Sequence, residues 1–345
     1  MSGSTEGQGV LLDADRRAET KQVSYSLAIN QALAEEMRRD DRVFLMGQDV
    51  GTMGGVFGVT RRLLKEFGPK RVRDTAINET FVVGGAVGAA LAGARPVAEL
   101  QFADFLFCAA DEIFLKMAKW RYIHGGQFTV PMVLRCPTGI MGGAGAEHSA
   151  SLEAMCLHTP GLRVAMPATG SDAKGLLKTA IRDDNPVVFF EHKMLYKEKG
   201  PVPVADTHLV PFGSATVRRQ GRHLTVVATG LMVHRAVEAA ERVAGSGLEV
   251  EVIDPRTLVP LDIDTIIESV QRTGRALVVH EAVRTGGAGA EIAAQIQERA
   301  FFALDAPVWR LGALDAPIPQ DAALEQHCVP SVDEIERAVR ELVAL

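Results

Sequence analysis

Apolar residues at Tyr25, Ile29, Leu33 and Met37, separated by charges, form a stripe at helical spacing, and the apolar run over 43–46 that follows suits a buried strand. The alternation continues through a helix marked by Leu63, Leu64 and Phe67 and closed by Gly68, a segment over 71–77, a small-residue helix over 81–92 and a strand over 96–102. Further strands are predicted over 132–134, 163–165 and 187–190, with a helix over 172–182. Short apolar strands alternating with helices predict a parallel sheet covered on both faces. Between His192 and Pro211 neither period fits a stretch rich in Pro, Lys and Gly, which predicts a linker over 192–210. Beyond it the pattern resumes, with strands over 224–228, 250–253, 276–280 and 308–311 and helices over 233–244, 263–271, 288–300 and 332–343. The reading is an α/β chain of two parallel-sheet domains, over 22–191 and 211–345, behind a polar tail over 1–21 expected to be mobile.

Composition narrows the function. The 345 residues are 47% hydrophobic with a formal charge of −6 and no basic stripe, so nucleic acid is not an expected partner. No apolar run has the length of a membrane span or a signal-peptide core, and a cytoplasmic location is the expectation. Cys108, Cys136, Cys156 and Cys328 are widely spaced and read as small hydrophobes, neither disulfides nor a zinc cluster.

Four features are candidates for chemistry. Glu79 falls where a strand gives way to a glycine-rich apolar helix, the place where open parallel sheets bind ligands. It reads either as a charge that complements the helix dipole or as a desolvated acid able to share a proton with a ligand nitrogen. His148 follows a glycine loop containing Gly142, Gly143 and Gly145 and is expected at a helix start, as a capping residue or a proton carrier. Phe102, Phe105 and Phe107 are either core or a platform for a flat ring, in a segment running into a long helix that reaches Trp120 and Tyr122; Glu99, Asp104, Asp111 and Glu112 flank them, solvated where they are exposed. Asp183, Asp184 and Asn185 form either a helix-ending turn or an oxygen cluster suited to a hard cation. No HExxH, GxSxG or Walker loop is present, and Gly287 and Gly289 lack the third glycine of a dinucleotide fingerprint.

The blocks RVFLMGQDVG, KRVRDTAINETFVVGGAVGAALAGARPVAELQFADF, GAEHSASLEA, DAKGLLKTAIRDDNPVVFFEHKMLY, VEVIDPRTLVPLD and VVHEAVRTGGAGAEI carry a resemblance from about residue 22 onward. In order and spacing they resemble the beta subunits of the decarboxylase components of 2-oxo acid and acetoin dehydrogenase complexes. GGVFGVT and VFFEHKMLYKEKG look closest to the bacterial acetoin and pyruvate branch. The resemblance implies a pyrimidine-type thiamin-diphosphate-binding fold followed by a transketolase C-terminal-like domain. It implies a reaction as well: oxidative decarboxylation of a 2-oxo acid, or acetoin cleavage, with acyl transfer to lipoamide. A catalytically degenerate assembly subunit is the alternative.

By the same resemblance, Glu79 matches the glutamate that hydrogen-bonds the cofactor's pyrimidine nitrogen and so promotes proton loss from the thiazolium carbon. Phe105 matches the aromatic residue beside the aminopyrimidine, with Gln101 one helical turn earlier, and His148 the histidine that assists proton transfer and lipoyl acylation. Met132, Ala180, Asp183 and Asn185 match positions around a structural potassium ion, held mostly through main-chain oxygens. Asp305 matches a carboxylate that docks the acyltransferase core.

The diphosphate motif of thiamin enzymes, GDG followed downstream by Asn, does not occur in the sequence. The implied arrangement is an alpha-two, beta-two heterotetramer whose alpha subunit holds Mg2+ and the diphosphate, with the Gly84, Gly85 and Gly88 helix as a face for subunit packing. Gln48, Asn78 and Glu147 depart from the usual Glu, Ser and Gln, and a carboxylate at Glu147 would raise the pKa of His148 if the two met.

Overall fold

A computed structural model describes residues 19–345, so most of the expected mobile tail lies outside the described residues. The strands are β1 (Thr20–Ser24), β2 (Val43–Gly47), β3 (Val72–Asp74), β4 (Arg95–Glu99), β5 (Val133–Thr138), β6 (Arg163–Ala165), β7 (Val187–His192) and β8 (Lys199–Pro203), then β9 (Thr216–Arg219), β10 (Leu224–Ala228), β11 (Val250–Asp254), β12 (Thr257–Val259), β13 (Ala276–Val283) and β14 (Trp309–Ala313). Among the described residues they form a seven-stranded sheet in the order β12-β6-β7-β5-β4-β2-β3, a five-stranded sheet in the order β14-β13-β10-β11-β9, and the pair β1-β8.

Both large sheets are parallel except at one edge. β12 runs antiparallel to β6, and β9 antiparallel to β11. Because β12 lies between β11 and β13 in the chain, the second half of the molecule contributes an edge strand to the first sheet. The segment expected as a linker is also structured: Lys193–Lys197 form a 3-10 turn, and β8 pairs antiparallel with β1, which takes in Thr20 and Lys21 of the expected tail.

Helices begin where short polar side chains accept orphan backbone amides. Asn78 caps the helix Glu79–Leu91 by accepting from the amide of Phe81 at 2.8 Å, and Thr169 caps Gly170–Arg182 through the amide of Asp172. The run from Ala103 to Ile123 is helical but not uniform: a 3-10 segment (Ala103–Ala109) precedes a π segment (Glu112–Met117) and an α-helix (Ala118–Ile123). One apolar cluster runs from Val82 and Val83 through Met166 and Leu258 to Val278, so the halves share a core. β5 and β7 are buried along their whole length, as central parallel strands must be.

Candidate active site

The carboxyl ends of five of the six parallel strands of the first sheet deliver candidate side chains. Gln48 follows β2, Glu79 the turn after β3, Gln101 and Phe105 follow β4, His148 the loop after β5, and Lys193 follows β7. This is the crevice where such sheets bind ligands.

Glu79 is the first residue of its helix and half-buried. The side-chain amide of Gln48, itself buried, donates to Glu79 Oε1 at 3.0 Å; among the described residues the second carboxylate oxygen accepts no hydrogen bond. Around it the chain is exposed: the polar Asn78 and Thr80 flank it, and beyond them stand two large apolar residues, Ile77, 84% exposed, and Phe81, 57%. The hydroxyl of Thr80 donates to the carbonyl of Cys108 at 2.8 Å, tying the start of this helix to the 3-10 segment that carries Phe105. Gly84 faces Glu112 of its own chain, so that part of the glycine face is not free for another subunit; a Cβ at Gly88 would meet nothing.

Phe102 and Phe105 are neither plain core nor an open platform. The Phe105 ring packs edge-on against Phe102 and His148, with centroids 5.8 and 5.7 Å apart, and Phe102 lies 4.6 Å from the His148 ring. Phe107, by contrast, is 59% exposed. Gln101 precedes the helical segment instead of lying on it.

His148 does not open a helix. It sits in a loop, and the next helix, Glu153–Leu157, starts five residues later; the glycines ahead of it take left-handed conformations (φ 95° at Gly142, 105° at Gly143). Its carbonyl accepts from the Lys193 ammonium, which also lies 5.0 Å over the Phe102 ring; burial pulls the Lys193 pKa down to about 8. Glu147 is exposed and makes no ion pair with the histidine among the described residues.

Beneath the crevice lies a charged layer hidden in the sequence. Arg135 on β5 is fully buried; its Nε and Nη2 donate to Glu191 on β7 at 2.6 and 2.7 Å, and its Nη1 donates to Glu99 on β4. The Tyr196 hydroxyl adds a bond to Glu191 at 2.8 Å. Burial raises the pKa of Glu99 against the pull of the guanidinium. Glu99 is therefore no solvated flank, nor is Asp104, whose Oδ1 accepts from the amide of Ala150 at 3.1 Å.

The residues expected around a cation gather at the opposite, amino ends of β5 and β7. Asp183 Oδ1 accepts from the backbone and side-chain amides of Asn185, its Oδ2 pairs with Arg163 at 2.8 Å, and Asn185 Oδ1 accepts from Arg121 at 2.6 Å. Arg95 donates to the carbonyls of Ile181 and Asp183 at 2.9 and 2.7 Å. The side-chain oxygens are thus satisfied by cationic and amide donors, and a metal held through them does not fit. An ion here would rest on main-chain oxygens such as those of Ala180 and Met132. In the second half, the Asp305 side chain is 61% exposed and leans on Arg275 at 3.2 Å.

Comparison with known proteins agrees with this geometry. Residues 21–199 match the transketolase pyrimidine binding domain and residues 213–335 the transketolase C-terminal domain. A solved structure described as a split gene transketolase, inactive beta4 tetramer, is similar in fold, with a TM-score of 0.75 at 23% identity over 94% of this chain and 99% of that one. Fold and site therefore define a protein of the thiamin-diphosphate-dependent transketolase class. Closer in sequence are the 2-oxoisovalerate dehydrogenase subunit beta of Bacillus subtilis (46% identical; 93% of this chain, 98% of that one) and the acetoin:2,6-dichlorophenolindophenol oxidoreductase subunit beta of Cupriavidus necator (43%; 93% and 97%). The pyruvate dehydrogenase E1 component subunit beta of Rhizobium meliloti is 43% identical over 91% of this chain and 68% of its own. The chain belongs to the family of E1 beta subunits of 2-oxo acid and acetoin dehydrogenases. No helix among the described residues is long and apolar enough to cross a membrane.

Proposed function

We propose that this chain supplies the pyrimidine half of a thiamin diphosphate site in a pyruvate- or acetoin-type dehydrogenase, and that an alpha subunit supplies Mg2+ and the diphosphate half in an alpha-two, beta-two tetramer. The observation that carries this reading is the free carboxylate oxygen of Glu79, set in an exposed apolar rim and backed by Gln48. A ring nitrogen is the kind of partner such an oxygen lacks, and a second subunit would keep water from it.

When bound, thiamin diphosphate supplies an electron sink for the carbanion left by decarboxylation. Glu79 would hold a proton at the pyrimidine nitrogen while Gln48 fixes its orientation by donating to the other oxygen. Phe105 walls the pocket beside it, and His148, wedged between Phe102 and Phe105, serves proton movement during acyl transfer to lipoamide. Asp305, exposed on the second sheet's side, is the docking carboxylate for the acyltransferase core, and a potassium ion near Ala180 would bind through main-chain oxygens.

The test is reconstitution with an alpha partner, thiamin diphosphate and Mg2+, assayed with pyruvate, branched-chain 2-oxo acids and acetoin. Activity is expected only in the mixture. Full turnover by the purified chain alone would refute the half-site reading, and an intact tetramer inert toward every substrate would favour a degenerate assembly subunit.

A further inference from the structure

The loop that carries His148 is held from the other half of the molecule. The amide of Ile140 donates to Glu281 Oε1 at 2.7 Å, the amides of Met141 and Gly142 donate to Glu325 Oε1 at 2.7 and 2.8 Å, and that of Gly143 donates to Glu325 Oε2. Glu281 lies on β13, and Glu325 in the first turn of the helix Ala322–Cys328, more than 180 positions from the amides it binds. Away from a helix start, the left-handed backbone of Gly142 and Gly143 lets successive amides of this loop turn toward one carboxylate. A Cβ at Gly143 would come within 2.6 Å of the Gln320 carbonyl, so the loop is also seated tightly on the segment leading into Glu325.

Both acids are buried and neither is spare. The second oxygen of Glu281 is bonded to His192 Nε2 at 2.6 Å, and Asp321 fixes the Glu325 helix by accepting from the amides of Ala323 and Leu324. Packing gives the loop little support on one side: a cavity of about 630 Å³ opens there between the halves, and the hydroxyls of Ser149 and Ser151 in its wall have no partner among the described residues. With that side open, the polar tethers act together with the contact at Gly143 to set how far the loop projects toward the His148 ring, which packs on Phe102 and Phe105.

We infer that Glu325, assisted by Glu281, is a positioning residue for His148: it fixes the four-amide stretch 140–143 so that the imidazole meets the acyl acceptor at a set reach. This rests on the proposed part of His148 in acyl transfer. The energetic case is that a carboxylate receiving three amide bonds in a buried site has no substitute acceptor, so its loss frees the whole stretch.

The experiment uses the reconstituted tetramer with Glu325→Gln, which keeps shape but removes the charge and turns an amide toward amides, and Glu325→Ala as a second variant. Hydrogen exchange of the 139–148 segment should rise at least tenfold in each. The kcat for acyl transfer to a lipoyl domain should fall by about tenfold to a hundredfold, a displacement effect. Adding Glu325→Gln to His148→Ala should cause no further loss, because the two act through one group. Unchanged exchange in the segment, or an additional multiplicative loss in the double variant, would overturn the proposal. A loosened loop together with a His148→Ala tetramer that transfers acyl groups at the wild-type rate would uphold the tether and reject the role given to His148.

Discussion

Replacing Glu153 with Gln should change how the stability of this protein depends on pH. Glu153 is the first residue of the helix Glu153–Leu157, just past the His148 loop, with its side chain buried and neither oxygen hydrogen-bonded to another of the described residues. Burial pushes its pKa from the ordinary 4.5 to about 7, reinforced by the nearby Glu281 carboxylate and opposed by its own backbone amide. The fold therefore holds this proton more tightly than the unfolded chain does, and between pH 4.5 and 7 the native state binds more protons. The contribution of Glu153 is intact below pH 4.5 and is lost as pH rises to about 7, above which nothing more is lost. At about 1.4 kcal/mol per pH unit, the loss comes to about 3 kcal/mol. Gln keeps the shape of the protonated acid and does not titrate. The assay is urea denaturation of wild type and Glu153→Gln at matched ionic strength from pH 4.5 to 8. The difference between the curves should grow in favour of the variant by about 3 kcal/mol and then level off. Parallel curves would mean that Glu153 ionises in the fold as it does in water, and a difference growing the other way would mean that an unseen cation holds the carboxylate.

Other consequences are open to measurement. Glu79→Gln should leave tetramer assembly intact and lower proton exchange at the thiazolium carbon by at least a hundredfold, read by NMR; unchanged exchange would reject its assigned part. Gln48→Glu places a second carboxylate 3.0 Å from Glu79, and because two acids at that distance share a proton, the acid limb of the pH–activity profile should move to higher pH. Arg135→Met leaves Glu99 and Glu191 buried without their cation and should cost about 3–5 kcal/mol in denaturant titrations, most of it recovered when both acids are also changed to Gln. Lys193 binds its proton less tightly in the fold than in the unfolded chain, so the stability of the wild type relative to Lys193→Met should rise with pH between about 8 and 10.5 in thermal melts.

What could be read from the sequence, and what could not, divides along a physical line. The strand Leu224–Ala228 and the helix Ala288–Ala300 fall where the apolar pattern puts them, because a buried parallel strand and an amphipathic helix announce themselves locally. β8 does not: the segment KGPVP is a strand only because Thr20–Ser24 pairs with it, some 180 positions earlier in the chain. β12 is equally invisible, three residues whose pairing partner belongs to the other half of the molecule. In the site, Glu79 and His148 stand out through their glycine-rich settings, whereas nothing in the sequence singles out Glu325, which lies on a short helix, Ala322–Cys328, that the apolar pattern does not predict. A weak signal did exist for three of the residues passed over. Arg135, Glu191 and Glu281 are each a charge inside an otherwise apolar strand, a pattern that requires a buried counterpart. What no local pattern reveals is which counterpart, and Gln48, noticed only as a departure, proved to be the residue bonded to Glu79.

The two side chains proposed to be functional differ in where their surroundings come from. The surroundings of His148 come from this chain: its ring packs against Phe102 and Phe105, its carbonyl accepts from Lys193, and its loop is tied to Glu281 and Glu325 across the domain junction. Glu79 is half finished. One oxygen is fixed by Gln48, while the other opens on a rim of Ile77 and Phe81 that a lone chain leaves to solvent. An acid in that position is held near water by default, and water screens its charge. Covering the rim would therefore supply area and also change the dielectric in which Glu79 holds its proton. In such a design the partner acts on the acid first, while the histidine's geometry is already in place before the partner arrives.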